Sequence, residues 1–239
     1  MKRYLSIFLL LSILSGKTQD QQILIDYSYQ IPIGSLSKDF GHNSSIGMSY
    51  MILRNNIITG IEGNFMFGDN IKNEDILSNI TTTDGFLINS SGELNQILFY
   101  QRGFNSHILF GKKLKKDSNN LTGLYIYGGL GYIDYKIRIE ADRSHLPQIN
   151  DEYIKGYDNY SRGVSTKLYV HYMYVDKRKY ATYNIGVNFI NALIKNQRPY
   201  SFNDMSPNNQ DWQLHQLIGM TIGVIIPINR KNEEKFHYF

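Results

Sequence analysis

Between residues 22 and 228 the chain alternates apolar and polar side chains with a period of two, and no other feature constrains its fold as strongly. In residues 22–33, Ile25, Tyr27, Tyr29, Ile31 and Ile33 share one face, and Asp26, Ser28 and Gln30 share the other. Residues 46–53 repeat this, with Ile46, Met48, Tyr50 and Ile52 against Gly47, Ser49 and Met51. In residues 57–67, Ile57, Ile61, Phe65 and Phe67 oppose Glu62 and Asn64. Leu168, Val170, Tyr172 and Tyr174 oppose Lys167 and His171, and Tyr183, Ile185, Val187 and Phe189 oppose Asn184 and Asn188. In residues 212–228, Leu214, Ile218, Met220, Ile222, Val224, Ile226 and Ile228 oppose His215, Gly219, Thr221 and Gly223. Successive strand side chains point to opposite sides, so each segment reads as a strand with one apolar and one polar face. No long segment repeats every 3.6 residues, so the fold class is all-β.

Residues 124–140 hold the longest alternating run. Tyr125, Tyr127, Ile133, Tyr135, Ile137 and Ile139 alternate with Asp134, Lys136, Arg138 and Glu140. Read like the other strands, it turns its apolar set outward and its charges inward. The expected inward polar network is then Asp26, Glu62, Asp134, Lys136, Arg138, Lys167 and His171. Charges in a narrow lumen are costly unless paired or hydrated, so the simplest expectation is a salt-bridged core that closes the barrel. A gated pore for ions or small solutes is the alternative.

Alternation alone fits a soluble barrel and a membrane barrel equally well. Three features favour the membrane. Lys2 and Arg3 precede an apolar stretch at 5–14, then Ser15 and Gly16, which is the pattern of a secretory signal peptide over residues 1–20. Cysteine is absent, which removes disulfides, Cys-ligated metal and a lipoprotein anchor. The aromatic set is skewed to 19 Tyr against 1 Trp, and amphipathic rings suit membrane interfaces. Mean hydropathy is −0.34 and no apolar run is long enough for a helical span, which leaves a transmembrane barrel open.

Connection lengths give a separate argument. Treating residues 94–112 as one long strand with a bulge at Gly103 gives eight strands; splitting it at residues 103–106 gives nine and reverses the alternation of connections, and ten is the alternative count. With eight, short basic connections at 54–56, 113–120 and 176–179 alternate with long polar ones at 34–43, 68–92, 141–161 and 195–211. Short periplasmic turns and long extracellular loops are the outer-membrane pattern, and an even count puts both termini in the periplasm. The barrel then spans residues 21–228, followed by a charged periplasmic tail at 229–239.

The stretches Gly103-Phe104-Asn105, Gly128-Gly129-Leu130-Gly131-Tyr132, Lys136-Ile137-Arg138-Ile139 and the closing segment 218–227 resemble the small eight-stranded outer-membrane barrels typified by the OmpA transmembrane domain and OmpX, and more narrowly barrels of Bacteroidota. The resemblance implies an antiparallel up-and-down transmembrane β-barrel in the outer membrane, in contact with lipid and lipopolysaccharide. It implies a structural or interaction role. Membership of a secretion or assembly complex, with envelope protein partners, is a further alternative.

No motif points to catalysis or to a cofactor. Gly128-Gly129-Leu130-Gly131 lies within a strand, without the Lys-Ser/Thr and helix of a phosphate loop. Lipid-modifying barrel enzymes need Ser, His and an acid together. Ser165 and His171 share a face but are six residues apart, about 20 Å at ~3.3 Å per residue. His107 and His215 have no partner identifiable by spacing. Asp142, His145, Asp151 and Glu152 read as a solvated loop cluster before they read as a cation site. The net charge of +4 is scattered, so no nucleic-acid partner is expected.

Overall fold

The computed structural model describes residues 20–73, 76–114, 121–141, 146–175 and 182–228. Residues 1–19 of the expected signal peptide, the tail at 229–239, the connection at 176–179 and most of that at 113–120 lie outside these residues. Eight long antiparallel strands form a closed barrel. They are β1 (Asp20–Gly34), β2 (Asn43–Arg54), β3 (Ile57–Gly68), β4 (Leu98–Lys113), β5 (Gly123–Glu140), β6 (Ser161–Val175), β7 (Thr182–Asn196) and β8 (Gln213–Pro227). Each pairs with its sequence neighbour, and β1 closes on β8. Closure leaves the barrel no edge strand, so each of these eight has a partner on both sides.

Register fixes the shape. Gln22 leads through its partners Met51, Gly60, Leu109, Gly129, Lys167, Ile190 and Leu217 back to β1 at Pro32. One circuit therefore climbs about ten residues, and eight strands with this stagger tilt by roughly 40° from the axis. Partners rise towards the long-loop end on passing from β1 to β8.

Local chemistry explains the turns. Asn55 and Asn56 join β2 to β3 at φ 49° and 68°. Two consecutive left-handed residues make the hairpin turn whose twist matches the strands, and asparagine tolerates that conformation. Both described ends of the barrel, Asp20 and Pro227, lie at the same end as this turn.

β4 departs from expectation. Its register with β3 runs unbroken through Arg102, Gly103 and Phe104, so Gly103 is not a bulge. A side chain there would collide with the Asp134 carbonyl and the Tyr135 Cβ on β5, so close strand approach is what demands glycine. Leu94–Asn95 belongs instead to a small ladder with Leu87–Ile88 inside the second long loop.

The outer wall is apolar over most of its height. Ile61, Ile108, Leu130 and Ile222 are 60%, 72%, 67% and 57% exposed, and Tyr27, Val187 and Met220 continue the belt around other strands. A soluble protein rarely exposes a contiguous apolar patch beyond a few hundred Å².

Candidate functional site

The inside of the barrel holds a polar layer between two apolar ones. At the turn end, Leu24, Met51, Ile58, Leu109, Met173 and Ile225 pack with Tyr125, Tyr127 and Tyr169. At the loop end, Met66, Ile133, Tyr135, Ile137, Ile139, Ile190 and Leu217 pack with side chains from the loops.

Three cross-strand groups build the polar layer. Glu62, His107, Gly131 and Ser165 are successive register partners on β3 to β6. Lys167 Nζ donates to Glu62 Oε1 at 2.7 Å and Oε2 at 2.9 Å. His107 Nδ1 lies 3.0 Å from Glu62 Oε1, and its Nε2 lies 2.9 Å from Ser165 Oγ. Gly131 permits this approach, because a methyl there would collide with the Ser106 carbonyl. Beside it, Asn64 Nδ2 donates to Asn105 Oδ1 at 2.8 Å, over the space left by Gly47 next to Asp26. On the far wall Ser28 and Thr221 hydroxyls lie 2.6 Å apart, and Asn188 Nδ2 donates to Thr221 Oγ1 at 2.7 Å.

Of the residues expected inside, Asp26, Glu62, Lys167 and His171 are on the inner face and buried. The structure joins Glu62 to Lys167. It sets His171 apart, ringed by Tyr169, Tyr125 and Tyr127 at centroid distances of 4.7, 5.3 and 5.5 Å. Among the described residues neither His171 nitrogen has a hydrogen-bond partner. A cavity of about 10 Å³ adjoins it, near the minimum that admits one water molecule.

Asp134, Lys136 and Arg138 correct the sequence reading. Lys136 and Arg138 are exposed, Asp134 is half-buried, and their buried neighbours are Ile133, Tyr135, Ile137 and Ile139. The upper half of β5 rises above the apolar belt. There the inner face is covered by loops and must be apolar, while the outer face meets a polar medium. Side-chain parity is the same along the strand, and the polarity of its surroundings reverses. Arg138 Nε pairs outside with Glu140 Oε1 at 2.7 Å.

The row Glu62–His107–Ser165 has the hydrogen-bond order of an acid–base–nucleophile triad. It escaped a search by spacing because its members stand on three different strands. All three are buried, and neither the cavity at His171 nor the loop-end cavity described below is lined by Ser165. The arrangement as it stands is a cross-brace: an ion pair and two hydrogen bonds that tie β3, β4 and β6 across the lumen.

The four long connections pack into a cap. Ile76, Leu77 and Leu87 of the second meet Leu146, Ile149 and Tyr157 of the third in one apolar cluster, with Leu36 and Phe40 of the first and Phe202 of the fourth. Leu36 begins a one-turn helix, α1 (Leu36–Asp39). Arg198 donates to both Asp158 oxygens, Nε at 2.7 Å and Nη2 at 2.5 Å, and this neighbour raises the guanidinium further above its ordinary value. Asn79 Nδ2 donates to the Phe202 carbonyl at 2.8 Å, and Phe202 N to Gly156 O at 3.0 Å. A cavity of about 170 Å³ remains between Asp39, Phe40, Asn159, Asn208 and the strand residues Tyr135 and His215, which hydrogen-bond to each other. Burial raises the Asp39 carboxyl above its usual range. Of the acidic cluster expected in the third loop, Asp142 and His145 lie outside the described residues, and Asp151 and Glu152 are exposed.

Arg198→Ala is expected to loosen the cap and spare the barrel. It removes a two-pronged charged contact, worth about 1–3 kcal/mol locally. Limited proteolysis should then cut residues 197–212 several-fold faster, with the gel shift of the heated against the unheated protein unchanged. Unaltered cleavage would mean that the pair does not hold the cap.

No family model and no curated protein matches this chain. Among solved structures, it is similar to Neisserial surface protein A (NspA), at 9% identity and a TM-score of 0.48, covering 88% of this chain and 99% of that one. It is similar to Ail, the attachment invasion locus protein of Yersinia pestis, at 9% identity and a TM-score of 0.39, covering 87% and 98%. A second Ail structure, in complex with the heparin analogue sucrose octasulfate, matches at 12% identity and 0.39, covering 87% and 99%. For this chain the closed eight-stranded architecture stands on its own strand register.

Proposed function

We propose that this chain is an integral outer-membrane barrel that acts through contacts made by its loop cap and wall, without transport or catalysis. The observation that carries this reading is the continuous exposed apolar belt around a lumen filled by packed and hydrogen-bonded side chains. On β4 the outward cations Arg102 and Lys112 bracket Phe104, Ile108 and Phe110. Ten residues at ~3.3 Å, tilted roughly 40°, stand about 25 Å apart along the axis, the height of the apolar band in outer-membrane barrels. Short turns at one end and long loops at the other support an orientation with the cap outside and both barrel ends in the periplasm. Lipid and lipopolysaccharide are then the immediate surroundings, and the cap is the surface offered to envelope or external partners.

The test combines two measurements on the purified full chain. In gels the unheated protein should migrate differently from the heated one, because a closed barrel satisfies its backbone internally and resists detergent. In planar bilayers it should give no steady conductance. Stable openings would overturn the closed-lumen reading and favour the narrow channel. A helix-dominated circular dichroism spectrum would overturn the barrel. Crosslinking in native membranes separates a solitary barrel from a subunit of a larger assembly.

A further inference from the structure

The outer wall carries a groove at its loop end. It has a volume of about 370 Å³ and runs across β1 to β4. Tyr27 and Tyr29 of β1, Phe67 of β3 and Tyr100 and Arg102 of β4 line it, with Asp69 as its one carboxylate. Register partners climb from β1 to β4, so the tyrosines of β1 lie lower on the wall than Arg102. The groove is thus aromatic along its lower part and carries Arg102 near its top, with Asp69 at the same end.

Arg102 is held in place and left with donors to spare. Its guanidinium lies 4.8 Å over the Tyr100 ring. Its Nη1 donates to the carbonyls of Gln101 at 2.8 Å and Gly68 at 3.4 Å. Among the described residues its Nε and Nη2 make no hydrogen bond, and it forms no ion pair, with Asp69 or any other carboxylate. A fixed guanidinium with free donors matches a phosphate group in charge and geometry. Arg102 also stands at the upper limit of the belt, where lipid headgroups lie if the belt is in a bilayer.

We propose that this groove seats one phosphate-bearing membrane lipid of the loop-side leaflet, its phosphate on Arg102 and the start of an acyl chain against Tyr27, Tyr29 and Phe67. The inference rests on the membrane reading above. Tyr27 and Ser44 hydroxyls, 2.6 Å apart, share one hydrogen bond, which lowers the polarity that the lower wall presents to the chain. Arg102 supplies the charge complementarity, and the aromatic rings supply the contact surface.

Native mass spectrometry of the full chain released from detergent tests the proposal. The probes are diphosphorylated lipid A, the same lipid with its phosphates removed, and inorganic phosphate. The wild type should retain one phosphorylated lipid. Arg102→Gln should weaken retention about tenfold, the scale of a lost charge-assisted hydrogen bond. Lys136→Gln, its register neighbour outside the groove, should leave retention unchanged. Equal losses in the two variants would overturn the proposal in favour of diffuse surface charge. Equal retention of the dephosphorylated lipid would remove the phosphate from it. Displacement by inorganic phosphate would make the site one for a free anion. Heat-dependent gel migration of Arg102→Gln separates lost binding from lost folding. Failure of the wild type to insert into vesicles would overturn the membrane reading and this inference together, whereas insertion without lipid retention would overturn the inference alone.

Discussion

Lys167→Met is expected to destabilise the barrel by about 3–5 kcal/mol, because it leaves the Glu62 carboxylate buried without its main counter-charge. Glu62 is 5% exposed and Lys167 8%, so water can replace little of what is lost. The substitution also removes an ammonium 5.6 Å from the Tyr169 ring centroid. The double variant Glu62→Gln/Lys167→Met should recover much of the loss, since it removes both charges from the lumen. Neighbours in one network are not additive, and the size of the recovery measures their coupling. The readout is the urea midpoint for unfolding from lipid vesicles, followed by heat-dependent gel migration. A single variant within about 0.5 kcal/mol of wild type would mean that water reaches Glu62 and the lumen is not dry. A double variant no better than the single would mean that packing, not charge, is what Lys167 provides.

Ile222→Arg is expected to cost about 2–4 kcal/mol and to lower the inserted fraction sharply. Ile222 is 57% exposed on the outer wall, between its register partners Tyr27 and Ile185, in the middle of the β8 belt. Trp212→Arg tests position against charge. Trp212 is 63% exposed beyond the start of β8, at the loop end, and an arginine there should stay within about 0.5 kcal/mol. Membrane flotation of the two variants makes the comparison. Equal insertion would deny that the belt faces lipid. Thr221→Arg is no neutral control, although Thr221 faces inward. Its hydroxyl is held by Ser28 and Asn188 in a packed layer, so a long side chain there overfills the lumen.

Alternation by itself determined which residues of β1, β2, β3, β6, β7 and β8 share a face. It could do so because a strand's side-chain period is exactly two residues by geometry, whatever surrounds the strand. The strand count was legible too, since the alternation of short and long connections held only with β4 as one strand. Asp26, Glu62 and Lys167 each sit opposite an apolar run, and it was the signal-peptide pattern, the absence of cysteine and the tyrosine excess, not the alternation, that turned those runs outward and these residues inward.

Only the tertiary structure decided the rest. On β5, parity separated Asp134, Lys136 and Arg138 from Ile133, Tyr135 and Ile137, but carrying over the facing of the other strands turned the wrong set inward. Which set faces inward depended on height: below about the level of Tyr132 the outer face is apolar, and above it the loop cap buries the inner face. The row of Glu62, His107 and Ser165 was equally hidden. Its members are 45 and 58 residues apart in sequence, and they meet because the stagger of neighbouring strands sets them side by side. Register is a property of the closed barrel, fixed by eight pairings at once. No single strand's sequence contains it, so the faces of the strands could be read from the chain and the contacts across the lumen could not.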